Sequence, residues 1–431
     1  MEEKTRMSLK TIKDVSLHIA RVSSKTILER VPPLDGSQRE NRSKTPLKEP
    51  RIIPKNTSKC SPLVITQNSE PFSDVNQAEA SPTKEDIKKK IVKKYHAQNH
   101  ARELLPYQKR LNACCRIPFS NVIKIHRSES RNTASYRQLE HCSSVWQCPV
   151  CAAKISSKRS KEIHSATESC KKNGGGYFMF TLTHSHTRED SLKSLIEKQS
   201  SALKSLWNRG SFRRLLKGTG YQGRISSFET TWGKDTGWHP HRHILMFFEK
   251  PLSDEDDFTF ASALYRGWID ACKKNKLKMN PKYGLKISQW NTDIKSYLSK
   301  VHLEMALSDF KQGKKSGRRG AFPMLYDSME GDKEAGRRFQ EFALTMKGKQ
   351  QICWSPGLKK LFGINDKTDE ELNEELTEKD EKPYLDMFVN VWRGVVRNKQ
   401  RGKLLYFCGK DRKVEINQLL KKHGYDFFFV E

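Results

Sequence analysis

The stretch GWHPHRHILMFF, Gly237–Phe248, constrains the fold more than any other part of the chain. Histidines at alternate positions lead into an unbroken apolar run, and alternate residues of a strand share a face. His239, His241, His243, Leu245 and Phe247 therefore point one way. Proline cannot donate to a ladder and sits at strand starts, edges or bulges, so Pro240 predicts a regular strand beginning near His241. His241 and His243 are then the pair with converging imidazoles, and His239 is peripheral. Side chains two apart along a strand are roughly 6–7 Å apart at the backbone, a separation at which both rings reach one divalent ion.

A third ligand is at hand in SSFETTW, where Glu229 lies on the preceding strand and a hairpin through GKDTG brings it opposite the histidines. Two imidazoles and a carboxylate leave coordination positions open, as a catalytic ion requires. Structural zinc or a plain cluster of histidines remains an alternative. A rival pair, His184 and His186 in THSHT, alternates in the same way at a strand end.

Around this strand the periodicities predict an α+β fold. NGGGYFMFTLTHSHT is a turn feeding a strand, Asp190–Lys217 repeats apolar residues at helical spacing, and GRISSFETTW and HRHILMFFE are two further strands. This β-α-β-β order predicts a central antiparallel sheet with helices packed on one face. Residues 1 to about 84 mix Ser, Thr, Pro, Lys, Asn and Glu without apolar period and are expected to be a disordered basic tail. Residues 85–160 hold a basic helix, capped by Thr83, and a cysteine-rich stretch. Residues 311–431 form a C-terminal α/β region, in which Phe388–Cys408 is expected as a hairpin.

Lys and Arg number 80 against 50 Asp and Glu, a formal charge of +30, so the expected partner is a polyanion, DNA by default. No run approaches the ~18 apolar residues of a membrane span and no apolar signal core opens the chain, which points to a cytoplasmic protein without membrane contact. In that compartment cysteines serve as thiols or metal ligands. Cys142, Cys148 and Cys151 give C-x5-C-x2-C, a spacing suited to structural Zn²⁺. The fourth ligand comes from Cys114, Cys115 or His141, with Cys115 the expected choice.

In NTDIKSYLSKVHLEM, Ile294, Leu298, Val301 and Met305 form a helical core stripe, and Asp293, Tyr297, Lys300 and Glu304 share an adjacent face. Tyrosine attacks a phosphodiester once its proton, with a pKa near 10, is withdrawn or a cation stabilises the phenolate. Lys300 suits that stabilisation, and Asp293 suits the positioning of water. A tyrosine on the flank of a packing helix is the plain alternative.

These stretches resemble motifs of the plasmid rolling-circle replication initiators of the HUH endonuclease superfamily, where U is an apolar residue. FTLTHSH, Phe180–His186, resembles the first strand motif, GWHPHRHILMF the metal motif, and DIKSYLSK, Asp293–Lys300, the tyrosine motif. HCSSVWQCPVCAAK resembles the cysteine-rich region ahead of the nuclease, and WSPGLKKLFGI, Trp354–Ile364, a C-terminal segment of the group. The resemblance implies a ferredoxin- or RRM-like nuclease domain over residues 161–310 and single-tyrosine nicking of one DNA strand at a plasmid origin. His241, His243 and Glu229 would bind Mg²⁺ or Mn²⁺, and Tyr297 would join the 5′ phosphate and free a 3′-OH primer. Relatives carry Glu one turn before the tyrosine to activate water; Asp293 holds that position here. Arg242, where the group prefers an apolar residue, and Lys295 are expected DNA contacts, with a host helicase and polymerase as further partners. A transposase or relaxase of the same chemistry, or a zinc-containing DNA-binding regulator without catalysis, remains the alternative.

Overall fold

Alternating apolar positions on three neighbouring strands set the architecture. The computed structural model describes residues 84–288, 317–375 and 380–430, all within one unit, Pro82–Glu431. The expected tail, the helix cap Thr83, and the segment carrying Asp293, Lys295, Tyr297 and Lys300 lie outside the described residues.

The chain enters through α1 (Lys84–Leu104) and α2 (Lys109–Ala113), a hairpin of β1 (Val122–Ser128) and β2 (Thr133–Arg137), and the long α3 (Pro149–Lys172). The predicted β-α-β-β unit follows as β3 (Gly176–Leu182), α4 (Leu192–Trp207), α5 (Gly210–Gly218), β4 (Tyr221–Gly233) and β5 (Gly237–Phe248). The single helix expected over residues 190–217 breaks where Asn208 closes α4 with its N–H on Lys204 O and Gly210 follows. Next come α6 (Asp254–Lys274) and β6 (Leu285–Ser288), and after the undescribed segment α7 (Ala321–Met329), α8 (Lys333–Met346), β7 (Ile352–Trp354), α9 (Leu358–Leu361) and α10 (Asp369–Glu374). β8 (Lys382–Phe388), α11 (Val389–Arg397), α12 (Arg401–Gly409), α13 (Lys413–Leu420) and β9 (Phe427–Phe429) complete it. No helix among the described residues is long and apolar enough to cross a membrane.

Five strands form an antiparallel sheet in the order β6-β3-β5-β4-β7. On one face Phe178, Phe180, Ile244, Met246 and Phe248 meet Leu206 of α4, Phe212 of α5 and Phe260, Leu264 and Trp268 of α6. Each fully buried side chain of this size contributes roughly 1.5–3 kcal/mol. The expectation of helices on one face only is corrected here. Ile163, Ala166 and Cys170 of α3, spaced as one helical stripe, cover Met179, Ile225, Leu245 and Phe247 on the other face. That second face is apolar at one end and carries Glu229, His241 and His243 at the other.

A second antiparallel sheet has the order β2-β1-β8-β9. The cysteine-rich region thus shares its sheet with strands from the end of the chain. Trp146, between the cysteines, packs edge-on against Phe228 of β4 at 6.2 Å and Phe342 of α8 at 5.6 Å and so ties the cysteine-rich region to the five-stranded sheet. The hairpin expected at Phe388–Cys408 is instead the helix pair α11 and α12. Val391, Trp392 and Val395 fall on one buried helical stripe, and Lys399, at φ +54°, makes the turn between the helices.

Pro240 is also corrected, because it does not delay the strand. β5 runs from Gly237, with Pro240 opposite Thr230, and pairing to β3 stops at Arg242. The proline therefore has a strand neighbour on one side only, where the missing donor is tolerated. Its carbonyl accepts from Thr183 Oγ1 at 3.3 Å and Gln199 Nε2 at 3.2 Å.

Gly237 holds the turn that starts β5. Its φ is +70°, and a Cβ there would meet Arg188 Cα and Thr187 O at 2.8 Å. Gly237→Ala is expected to lower stability by about 1–3 kcal/mol from backbone strain and more from the backbone clash. Gly174 has φ +74°, and an added methyl group there would meet open space, so Gly174→Ala measures the strain alone. Denaturant midpoints for the two variants check this, and equal losses would refute the clash.

Candidate functional site

Register assembles a polar cluster on the second face of the five-stranded sheet. Glu229 stands opposite His241, Ser227 opposite His243, and Thr231 opposite His239, while Thr181 of β3 faces His243 from the other side. Directly opposed residues share a face. His243 Nε2 lies 2.8 Å from Glu229 Oε2 and its Nδ1 2.9 Å from Thr181 Oγ1. The His241 and His243 rings are nearly parallel, 16° apart in plane with centroids at 6.2 Å.

His239 and the rival pair belong to the same cluster. The His239 ring lies edge-on to His241 at 4.1 Å and 4.5 Å from His186, whose Nε2 contacts His239 Nδ1. His186 Nδ1 lies 2.8 Å from Thr236 O. His184, His186, His239, Tyr283 and Arg318 line a hollow of about 530 Å³ beside the strand pair.

Burial favours the neutral imidazoles. It pushes the pKa of His239 down to about 2, with His241, Arg318, His186 and His184 adding repulsion. His241 is pushed down to about 4, again mainly by burial, against the pull of Glu229. His184 and His186 are lowered for the same reason. A neutral imidazole offers the lone pair that a metal needs. His241 Nδ1 and His184 Nε2 are buried without a hydrogen-bond partner among the described residues. The donor types on this face and the unpartnered His241 Nδ1 suit a divalent ion, while both His243 nitrogens are engaged here by Thr181 and Glu229.

The cysteines form a second centre. The Sγ atoms of Cys114, Cys142, Cys148 and Cys151 lie within 4.8 Å of one another, with Cys114 at 3.8 Å from Cys148 and 3.5 Å from Cys151, and Cys142 at 3.7 Å from Cys151. Zn–S bonds of ~2.3 Å in a tetrahedron put sulfurs roughly 3.8 Å apart, so the quartet fits zinc. The sulfur that lies with the other three is that of Cys114, whereas the expected Cys115 groups with Cys114 and His141. Cys115, at φ +53°, gives its N–H to Glu140 O and turns its thiol to His141 Nδ1 at 3.5 Å, beside the quartet.

Cys148 caps the N-terminus of α3 and accepts from Cys151 N at 3.5 Å. Burial raises its pKa, but hydrogen bonds from Cys114, Cys142 and Cys151 outweigh this and hold it well below the usual thiol range. Gln98 Nε2 donates to Cys114 at 3.3 Å and Cys148 at 3.1 Å, and Asn373 Nδ2 to Cys151 at 3.5 Å. Such donors stabilise thiolates around a metal. Sequence reasoning missed both, since neither residue lies near a cysteine motif; Thr181 was at least inside the first strand motif. Arg242 faces away from the histidines with its guanidinium 4.8 Å from the Phe228 ring centre, and burial lowers its pKa to about 10. It packs over the Phe228 ring on the face away from the histidines.

A sequence model of a family described as Replication protein matches residues 134–391, more than half of the chain. A "Protein rep" of Streptomyces lividans is 25% identical over 295 residues, 53% of this chain and 64% of that protein. A "Neomycin resistance protein" of Streptomyces cyanogenus is 29% identical over 129 residues, 24% of this chain and 30% of that protein. The chain thus spans less than two thirds of either relative. No solved structure matches it.

The cysteine geometry separates adjacent residues. Cys114→Ser is expected to lose tightly bound zinc, measured by elemental analysis of the purified protein, and to melt at lower temperature. Cys115→Ser should keep about one zinc per chain; the reverse pattern would return the fourth corner to Cys115.

Proposed function

The chain belongs to the replication protein family, and from that premise we propose that it initiates plasmid replication by nicking one DNA strand at the origin through a covalent tyrosine link. The observation that carries this reading is the trio Glu229, His241 and His243 on one sheet face, with the His243–Glu229 contact at 2.8 Å. The Asp293–Lys300 motif occupies the segment after β6, outside the described residues. Both its anchors lie by the cluster. β6 pairs with β3, which carries Thr181, and Arg319 exchanges both backbone hydrogen bonds with Trp232 at 2.8 Å on the strand that carries Glu229.

A divalent ion, when bound, would add positive charge at the scissile phosphate. The chain's own groups do the rest. Thr181 and Glu229 orient the His243 ring from opposite sides, and burial keeps the His241 imidazole neutral and unable to repel the cation. Tyr297 Oη forms a bond to phosphorus as the bond to the 3′ oxygen breaks, leaving a 3′-OH and a 5′-phosphotyrosine. Lys300 stabilises the phenolate, and Asp293 positions the water or hydroxyl that later resolves the link. On this reading the five-stranded sheet is that of an HUH nuclease, and the zinc-bearing module ahead of it is the basic support for origin binding.

The test is incubation of the protein with Mn²⁺ and single-stranded origin oligonucleotides or supercoiled plasmid, followed by a denaturing gel. Wild type is expected to give a covalent protein–DNA adduct, and Tyr297→Phe none. His241→Ala and His243→Ala remove several kcal/mol of charge stabilisation, so cleavage should fall on the order of a thousand-fold. An equal adduct yield from Tyr297→Phe would falsify the tyrosine assignment. Binding with no adduct in any variant would favour a DNA-binding regulator.

A further inference from the structure

The motif WSPGLKKLFGI, spanning β7 and α9, takes no part in the histidine cluster, yet it walls a large groove of its own. This groove encloses about 1380 Å³ and has Trp354, Lys359 and Lys360 on one side and Tyr107, Lys109 and Trp146 of the cysteine module on the other. Trp146 Nε1 donates to Lys349 O at 2.6 Å and joins the two sides.

Register leads from the groove to the histidines. Ile352, on the groove, pairs with Ser227, Ser227 with His243, and His243 with Thr181. One row across the sheet therefore links them, and two strand spacings put Ile352 about 10 Å from His243.

Charge decides what the groove attracts. Its acids are engaged: Asp366 with Lys359 at 2.9 Å, Asp369 with Arg159 at 2.8 Å, and Glu370 with Arg110 at 3.0 Å. Lys109, Lys347, Lys349 and Lys360 are exposed and carry no ion pair among the described residues. Tyr107 is 91% exposed at the rim, and the Trp354 indole N–H is buried without a partner. A lysine track with an exposed aromatic ring at Tyr107 suits a strand whose bases are free to stack, which a paired duplex does not offer.

We propose that this groove holds a single DNA strand and feeds it to the histidine cluster, with Lys347, Lys349 and Lys360 on the phosphates and Tyr107 stacking a base. The inference rests on the nicking reading for its direction, but its test reads binding alone. Anisotropy of a labelled single-stranded oligonucleotide is titrated across salt concentrations, with the duplex of the same sequence as a second arm. Removing three phosphate contacts on a single strand is expected to cut the slope of log affinity against log salt by about 2. The variant K347A/K349A/K360A should therefore show that loss and at least tenfold weaker binding. Tyr107→Ala should weaken single-strand binding about tenfold and duplex binding far less. A control, K217A/K273A/K274A, changes exposed lysines of α5 and α6 on the opposite sheet face and should stay within threefold of wild type.

An unchanged slope in the groove variant, an equal loss in the control, or an equal loss of duplex binding in Tyr107→Ala overturns the proposal. Groove-dependent binding by a protein that forms no adduct with any DNA sinks the nicking reading and leaves the groove assignment standing.

Discussion

The pairing of β4 with β5 is the constraint on which the rest depends. Glu229 meets His241 and Ser227 meets His243 because the two strands lock in one register. A slip of one residue would turn every histidine to the opposite face. Two features prevent it. Gly237 admits only one turn against the Thr187–Arg188 backbone, and the apolar residues of β5 are sorted between two different helix layers, so a slip would trade Leu245 and Phe247 for Ile244 and Met246 in cores of different shape.

This register carries a cost. Buried nitrogens without partners, such as His184 Nε2 and His241 Nδ1, each forfeit about 1–3 kcal/mol. A chain keeps such groups where they serve a ligand, and the surrounding apolar layers offset the loss. α3 links the apolar end of the same sheet face to the cysteine quartet. Its N-terminus begins at Cys148 and its last turns pack under the sheet through Cys170, a rod of about 36 Å at ~1.5 Å per residue.

What the sequence revealed and what it hid have physical reasons. Strands β3, β4 and β5 and the Glu229–His241–His243 grouping were legible because alternation and a short turn are local signals. The choice between Cys114 and Cys115 was not, since it hangs on one positive φ at Cys115. The helices α11 and α12 were misread because VNVW and GVV satisfy a period of two as well as a helical stripe. The second helix layer was hidden for a different reason. α3 covers the sheet from outside the β-α-β-β unit, and no local periodicity tells which distant surface a helix stripe will find. Gln98 and Asn373 were invisible for the same reason, being joined to the cysteines only by tertiary folding.

The second sheet has a consequence for how the chain is made. β1 ends at Ser128, yet its partner β8 begins at Lys382 and the edge strand β9 ends at Phe429. During synthesis the five-stranded sheet has all its strands once Trp354 has emerged, whereas the sheet beside the cysteines waits for the last residues. Pairings so distant in sequence form slowly, after the local ones. The sheet that opens the described part of the chain is thus among the last to be completed, and a ribosome that stalls before β8 would release a finished five-stranded sheet beside an unfinished cysteine module.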